Sequence, residues 1–308
     1  MRAIIIDEKR NEYEIMSIMS FELRRTDGSS CDGFEITFPC DSTKILDSAM
    51  GFRFEHEGKI VFTGMIDECD VSYDKGMIVT VSGRGMGAVL SDSEAQSCEI
   101  NNATVDDIMS KFVTPLGVSC TYMKAMPKVS LFKVSSGNSI FSVVSDFAAQ
   151  SDGSNVYFSN DGTLVISKDI GNIVEINDDC RAFDVEYRNK RYGLISKVTV
   201  KNTRGKTVTV RDDLLINKGI NASRVVMTTL DRTTGDMEKI GRRIIEKSKS
   251  ECSTLFLTLP MLFAAEPLDI CAVNMKKLNI SGNFKVFESV TWAEGKSFGT
   301  RLYMREVM

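Results

Sequence analysis

The 308-residue sequence has a single histidine, His56, so a histidine-rich zinc or iron site is excluded and a histidine-based triad could use only that residue. Five prolines are too few for a proline-rich linker to mark a domain border. No run approaches the ~18 uninterrupted apolar residues of a membrane-spanning helix. The opening Met1–Arg10 has an apolar core of only four residues, Ala3 to Ile6, which does not fit a secretion signal. No basic block exceeds a few residues and the net charge is −4, which argues against duplex DNA or a specific nucleic acid as the main partner. The eight cysteines (Cys31, Cys40, Cys69, Cys98, Cys120, Cys180, Cys252 and Cys271) include no CxxC pair. Without a secretion signal they read as reduced thiols packed mostly as small hydrophobes, not as a disulfide framework or a zinc site.

What is present is an ordinary globular composition, 43% apolar and 26% charged, which excludes global disorder, collagen and coiled coil. At roughly 150 residues per domain the length predicts two or three domains. The first 97 residues alternate in strand fashion. Phe34, Ile36 and Phe38 stand against Glu35 and Thr37; Phe52 and Phe54 against Arg53 and Glu55; Met77, Val79 and Val81 against Ile78 and Thr80. Asp27-Gly28, Asp32-Gly33, Glu57-Gly58 and Lys75-Gly76 supply turns, and short strands without long helices suggest a small barrel or sandwich. From residue 98 the period changes. Val105, Ile108, Met109 and Phe112 form a helical stripe with Thr104 and Asp107 as a capping pair, stopped by Pro115 and Gly117. A short strand over 118–122 follows. Ile140, Val143, Val144, Phe147 and Ala148 form a second helix, capped by Asn138 or Ser139 and closed by Gly153. A hairpin then runs through Val156–Phe158, Asn160-Asp161-Gly162 and Leu164–Ile166. Residues 98–170 are thus expected to be a small α+β domain. Strands return over 171–308, with a basic hairpin turn at Thr203-Arg204-Gly205-Lys206 and alternation at Leu255, Leu257 and Leu259. Two terminal strands, 283–291 and 300–307, flank Glu294-Gly295-Lys296. A helical insertion at about 236–250, with Asp236 as N-cap, carries Met237, Ile240, Ile244 and Ser248. The expected fold is α+β and mostly β: an antiparallel β-barrel over 1–97, the α+β domain, and a second barrel over 171–308.

Chemical motifs are sparse. Ser82-Gly83-Arg84-Gly85-Met86-Gly87-Ala88 contains GxGxG, but the apolar stretch behind it is too short for the helix of a dinucleotide fold and no parallel strand follows, so it reads as a strand-exit turn with flexible glycines. Asp67/Glu68, Asp178/Asp179 and Asp212/Asp213 are adjacent pairs whose side chains diverge on a strand, unlike the facing carboxylates of a glycosidase. His56 falls at a hairpin tip. Sixteen methionines fit adaptable packing better than a cofactor. Arg242 and Arg243 lie on a helix face opposite Ile240 and Ile244, a solvated face by default. No catalytic, cofactor-binding or metal-ligating residue is assigned, and no cofactor is expected.

Three segments carry the most information: Phe62-Thr63-Gly64-Met65-Ile66-Asp67; then Ser72-Tyr73-Asp74-Lys75-Gly76-Met77-Ile78-Val79-Thr80-Val81-Ser82-Gly83-Arg84; then Leu90-Ser91-Asp92-Ser93. In that order they resemble the baseplate hub proteins of contractile phage tails, including the Mu hub protein and the hubs of defective prophages and phage-tail-like bacteriocins. Asn102-Ala103-Thr104, Gly137-Asn138-Ser139-Ile140-Phe141, Asp161-Gly162-Thr163-Leu164, Val290-Thr291-Trp292 and Phe298-Gly299-Thr300-Arg301-Leu302 extend the resemblance over nearly the whole chain. Met261–Asp269 departs from it, lacking the glycine of a Gly-Asp turn that many relatives carry there. The resemblance implies a non-enzymatic baseplate hub built on two tail-tube-like barrels. It would be a homotrimer that adapts a hexameric tail tube protein to a trimeric central spike protein, in contact with wedge and tape-measure proteins. It would assemble in the bacterial cytoplasm and end in the phage tail or bacteriocin particle. The competing expectations are a tail-tip cell-wall or glycan hydrolase, and an adaptor of a non-contractile tail or secretion system.

Overall fold

The computed structural model describes residues 1–27, 32–168, 171–228 and 233–307; Cys31 and the glycine of the expected Asp27-Gly28 turn lie outside them. Half of the chain is strand and 21% helix. It divides into two compact units. The first is Met1–Gly171 with Pro260–Leu268 and Glu288–Arg301; the second is Asn172–Leu259 with Asp269–Phe287 and Leu302–Met308.

The first unit opens with β1 (Arg2–Asp7), β2 (Glu12–Ile15), β3 (Ser20–Thr26), β4 (Gly33–Pro39), β5 (Ala49–His56), β6 (Lys59–Tyr73) and β7 (Met77–Gly85). All pair antiparallel, in the order β2-β1-β5-β6-β7-β4-β3, and Glu288–Glu294 of a later strand adds to β3. Alternation decides the buried face. Phe34, Ile36, Phe38, Phe52, Phe54, Val79 and Val81 are all buried, while Met77 is half-buried. Gly33 starts β4 instead of making the expected turn with Asp32. Phe34 stacks on Phe52 with ring centroids 4.2 Å apart, and Phe21 meets Phe54 at 4.8 Å. In a flat ladder with ~4.8 Å between strands, those pairs would lie about 14 and 19 Å apart. The sheet therefore curls over its own aromatic core. It does not close: among the described residues the ladder ends at β2, whose four mostly exposed residues offer little apolar face for another strand to share. The expected closed barrel is not found there.

α1 (Gly87–Ser91) leads into β8 (Cys98–Ala103), α2 (Val105–Ile108, continued by a π-helical turn over Met109–Val113), β9 (Cys120–Tyr122), β10 (Val129–Val134), α3 (Ile140–Ser151), β11 (Asn155–Phe158) and β12 (Leu164–Ser167). The Thr104 capping box forms in full: the Asp107 N–H donates to Thr104 Oγ1 at 3.2 Å and the Thr104 N–H to Asp107 Oδ2 at 2.9 Å. Ser139 caps α3. Gly117 and Gly153, both at positive φ, follow the two helices as expected. Ile108, Met109, Phe112 and the α3 stripe share one core with Leu164 and Ile166. β11 and β12 make the expected hairpin, and β9 joins β12 in parallel. The antiparallel pair β8–β10 has no counterpart in the sequence expectation.

The second unit contains β13 (Ile173–Asn177), β14 (Phe183–Asn189), β15 (Lys197–Asn202), β16 (Thr207–Arg211), α4 (Asp213–Asn217), β17 (Ser223–Thr228), α5 (Thr234–Ser250), β18 (Ser253–Leu259) and β19 (Ile270–Met275). It also holds parts of β20 (Ile280–Glu294) and β21 (Ser297–Glu306). Here the expected single antiparallel barrel gives way to a different arrangement. β13 runs parallel to β19, and β15, β16 and β17 form a separate sheet in the order β16-β15-β17, with β15 parallel to β17. No closed barrel forms among the described residues of this unit. α5 covers one face of the small sheet, packing Met237 and Ile245 against Val198, Val200 and Val210. Gly241 permits this approach, since a Cβ there would lie 2.6 Å from Val210 Cγ2. The N-cap of α5 is Thr233, and Asp236 closes its capping box from the third helical position; Thr-x-x-Asp outcompetes the Asp alone. The buried stripe is Met237, Gly241, Ile245 and Ser248, so Ile240 and Ile244 sit at its margin, half-buried.

Candidate functional site

Charged side chains converge at several places in the first unit, and one of these clusters is assembled from the three motif segments. β6 and β7 pair Ile66 with Gly83 and Glu68 with Ser82, which leaves Asp67 as the extra residue of a bulge. Freed from the ladder, its carboxylate accepts two hydrogen bonds from Arg84, from Nε at 2.7 Å and Nη2 at 3.0 Å. Asp92, just beyond α1, accepts two more from Nη1 and Nη2 at 3.0 and 2.9 Å. The strands can approach this closely because Gly64 and Gly83 lack side chains. A Cβ on Gly64 would fall 2.4 Å from the Arg84 carbonyl oxygen, and one on Gly83 2.0 Å from that of Met65. The bonds to Asp67 and then to Asp92 raise the Arg84 guanidinium above its ordinary value, and Arg84 holds the Asp92 carboxyl below the usual range. With these side chains partly in solvent, the double fork acts mainly as geometry: it fixes the end of α1 on the β6–β7 ribbon.

Another convergence is at Arg25, near the end of β3, whose side chain is 12% exposed. Its guanidinium donates to Asp32 Oδ2 at 3.2 Å, to the Phe158 carbonyl oxygen at 3.1 Å and to Asn160 Oδ1, and it pairs with Glu266 at 2.9 Å. Asn160 Nδ2 also donates to Glu266 at 2.7 Å. Burial pushes the Asp32 carboxyl up, against the pull of Arg25. These groups line an open cleft of about 410 Å³ together with Asp27 and Asp161. Chemically the arrangement clamps three segments remote in sequence: the end of β3, the β11–β12 turn and the stretch Pro260–Leu268. Leu268, at the end of that stretch, is buried with φ +82°, the left-handed conformation that favours glycine. It lies within Met261–Asp269, the stretch that was expected to lack the glycine of a Gly-Asp turn carried by many relatives.

The other singled-out residues lie elsewhere. Gly83 and Gly85 belong to β7 and Gly87 opens the five-residue α1, so the GxGxG stretch does leave a strand, but Gly83 is a close-packed strand position rather than a flexible turn. His56 ends β5, with Nε2 3.8 Å from Glu57. Asp178 and Asp179 sit in a 3-10 turn capped by Asn177. Asp212 caps α4 and pairs with Lys249 at 2.5 Å. Arg242 and Arg243 are exposed. Of the seven described cysteines, Cys252 and Cys271 are buried and five are half-buried, so packing as small hydrophobes holds fully for two. Among the described residues no group of His, Cys, Asp and Glu has the geometry of a metal site. Sequence reasoning missed Arg25 and Glu266, whose only local signal was polarity near a turn.

The fold is that of phage tail proteins. The chain superposes on the tail protein of Neisseria meningitidis MC58 with TM-score 0.80 at 16% identity, covering 99% of this chain and 96% of that one. It superposes on the 43 kDa tail protein of prophage MuSo2 from Shewanella oneidensis with TM-score 0.79 at 14% identity, covering 99% and 98%. The Escherichia coli c3393 protein, a type VI secretion component with structural similarity to the T4 tail proteins gp27 and gp5, matches with TM-score 0.65 at 12% identity, covering 95% and 74%. A comparison with curated protein sequences finds no match. Residues 87–168 match the second domain of the gp44-like baseplate hub proteins.

Proposed function

We propose that the protein is the structural hub of a contractile tail or phage-tail-like bacteriocin. In this reading three copies form a ring that adapts a hexameric tail tube to a trimeric spike and meets the wedge and tape-measure proteins. Each chain contributes two tube-like β modules, so three chains present six. The ring assembles in the cytoplasm and ends in the particle, and it breaks no bonds. The observation that carries the reading is the tail-protein fold along 99% of the chain together with the hub-family match at 87–168. The open ladder ending at β2 supports it, because a neighbouring copy can cover a free edge. Light scattering across a concentration series, with electron microscopy of purified particles, tests it. Threefold assemblies and density at the tube–spike junction are expected; a monomer at every concentration that is missing from the particle overturns it.

The Arg25 cleft is the one feature that favours a hydrolase, since it gathers carboxyl groups and burial pushes Asp32 up. Yet Asp32 and Glu266 are both bound to Arg25, which supports a structural role. Zymography on cell walls separates the two readings: lysis abolished by Asp32→Asn or Glu266→Gln with the fold retained would establish the enzyme. The remaining alternative is an adaptor of a non-contractile tail or secretion system; particles that lack a sheath would favour the non-contractile tail.

A further inference from the structure

Residues 197–211 read Lys-Val-Thr-Val-Lys-Asn-Thr-Arg-Gly-Lys-Thr-Val-Thr-Val-Arg: five basic residues and no acidic one, in a chain of net charge −4. The pairing of β15 with β16 and β17 places Lys197 beside Arg211 and Ser223, Thr199 beside Thr209 and Val225, and Lys201 beside Thr207 and Met227. These nine positions share the face away from α5, because the alternating Val198, Val200 and Val210 are buried beneath the helix. The face therefore carries three cations and no carboxylate. Arg204 and Lys206 add two more at the hairpin tip, exposed like Lys201 and Arg211. On the neighbouring strand Val225 and Met227 are 61% and 62% exposed. Thr199 and Thr209 are hydrogen-bonded to each other at 3.3 Å, so the lattice between the charges is tied across the strands.

We infer that this face docks an acidic protein surface, one whose carboxylates meet Lys197, Lys201, Arg211 and the hairpin tip and whose apolar margin covers Val225 and Met227. Two features favour protein over nucleic acid. None of the nine positions is aromatic, so there is no platform on which bases stack. The exposed aliphatic pair beside the cations gains from apolar burial, which a phosphate backbone does not provide. The inference stands apart from the hub reading, since it concerns what the face recognises and not where the molecule assembles.

Fluorescence anisotropy on the full chain tests it with two labelled probes, a 15-residue peptide of glutamate and leucine in alternation and a duplex DNA of 15 base pairs. The chain is expected to bind the peptide more tightly than the DNA, with an affinity that falls as salt is raised. K201E/K206E/R211E should weaken peptide binding at least tenfold, and the neutral K201Q/K206Q/R211Q severalfold. A matched reversal on the exposed side of α5, K239E/R242E/R243E, should leave binding unchanged. Circular dichroism checks each variant's fold, and the neutral set stands in if the reversed set fails to fold. No peptide binding at low salt, equal loss in the α5 set, or tighter binding of the DNA overturns the inference.

Discussion

Replacing Gly83 by alanine is the sharpest test of how the first unit is packed. The added Cβ would meet the Met65 carbonyl oxygen at 2.0 Å, Phe34 Cε1 at 2.8 Å and Ile66 Cα at 3.0 Å. Optimal carbon contacts lie at roughly 3.5–4.0 Å, so the clash cannot be relieved by a side-chain rotation; two of the three obstacles are backbone. Either β6 and β7 separate beside the Asp67 bulge, or Phe34 leaves its stack on Phe52. Overpacking typically costs about 1–3 kcal/mol, and the backbone shift places this case at the top of that range, about 3 kcal/mol. For a unit of this size that lowers the melting temperature by roughly 6–12 °C. The single tryptophan makes the measurement local. Trp292 lies in the Glu288–Arg301 segment of the first unit, under the Arg301 guanidinium at 5.1 Å, so its fluorescence follows this unit. Gly76→Ala is the matched control, because nothing lies within 4 Å of its added Cβ and its φ is not positive; it should stay within about 0.5 kcal/mol of the parent. Equal Trp292 transitions for the parent and Gly83→Ala would refute the close-packing account.

At Leu268, glycine should be better tolerated than alanine, the reverse of the usual core order: Leu268→Gly loses about 1.5–3 kcal/mol of burial but regains about 1–2 kcal/mol of left-handed strain, whereas Leu268→Ala keeps the strain. Denaturant titration followed by Trp292 ranks the two, and an alanine variant as stable as the glycine variant contradicts the strain. Asp212 is held below the usual carboxylate range, first by its hydrogen bond from Lys249, so its contribution is present above the unfolded-state value near 4 and fades as pH falls through the lower folded value. Asp212→Ala should cost about 0.5–2 kcal/mol at pH 7 by loss of the α4 cap, with the deficit shrinking below about pH 4 in melts followed by circular dichroism. Burial pushes the Cys271 thiol up to about 12, so native labelling with a thiol reagent at pH 8 should spare Cys271 and react first at half-buried cysteines such as Cys40; early modification of Cys271 in mass spectra contradicts its burial.

The legible parts of the fold were those with a local cause. Alternation found β4, β5 and β7, and side-chain caps found α2 and α3, because each depends on residues within a few positions of one another. Barrel closure is a property of strand order, which alternation does not encode: the same buried face serves a curled open sheet and a closed one. The parallel pair β15–β17 was hidden for a similar reason, since its partners are separated by β16 and α4. The basic face of that sheet escaped notice because its charges are spaced two to five residues apart and never form a block; only the register brings Lys197 beside Arg211. Arg25 and Glu266 lie far apart in sequence, and neither has neighbours that announce a clamp.

The residues that carried the resemblance have a physical reason for doing so. A core phenylalanine on β4 or β5 can be exchanged for another apolar residue with repacking, so the core leaves only a pattern of hydrophobicity. The joint between β6, β7 and α1 allows no such exchange. Gly64 and Gly83 are set by carbonyl oxygens a Cβ would overlap, Asp67 by a bulge that must leave one residue free, and Arg84 by two carboxylates that need a planar fork. These are independent constraints satisfied at one point in space, and together they spell Gly-x-x-Asp, Gly-Arg and Asp in fixed order. That is why short, individually weak strings indicated a tail-protein fold, while the abundant hydrophobic alternation around them did not choose between barrel and sandwich. At Leu268, by contrast, the backbone takes the left-handed conformation that favours glycine while a leucine side chain fills buried space, so no glycine marks that conformation in the sequence.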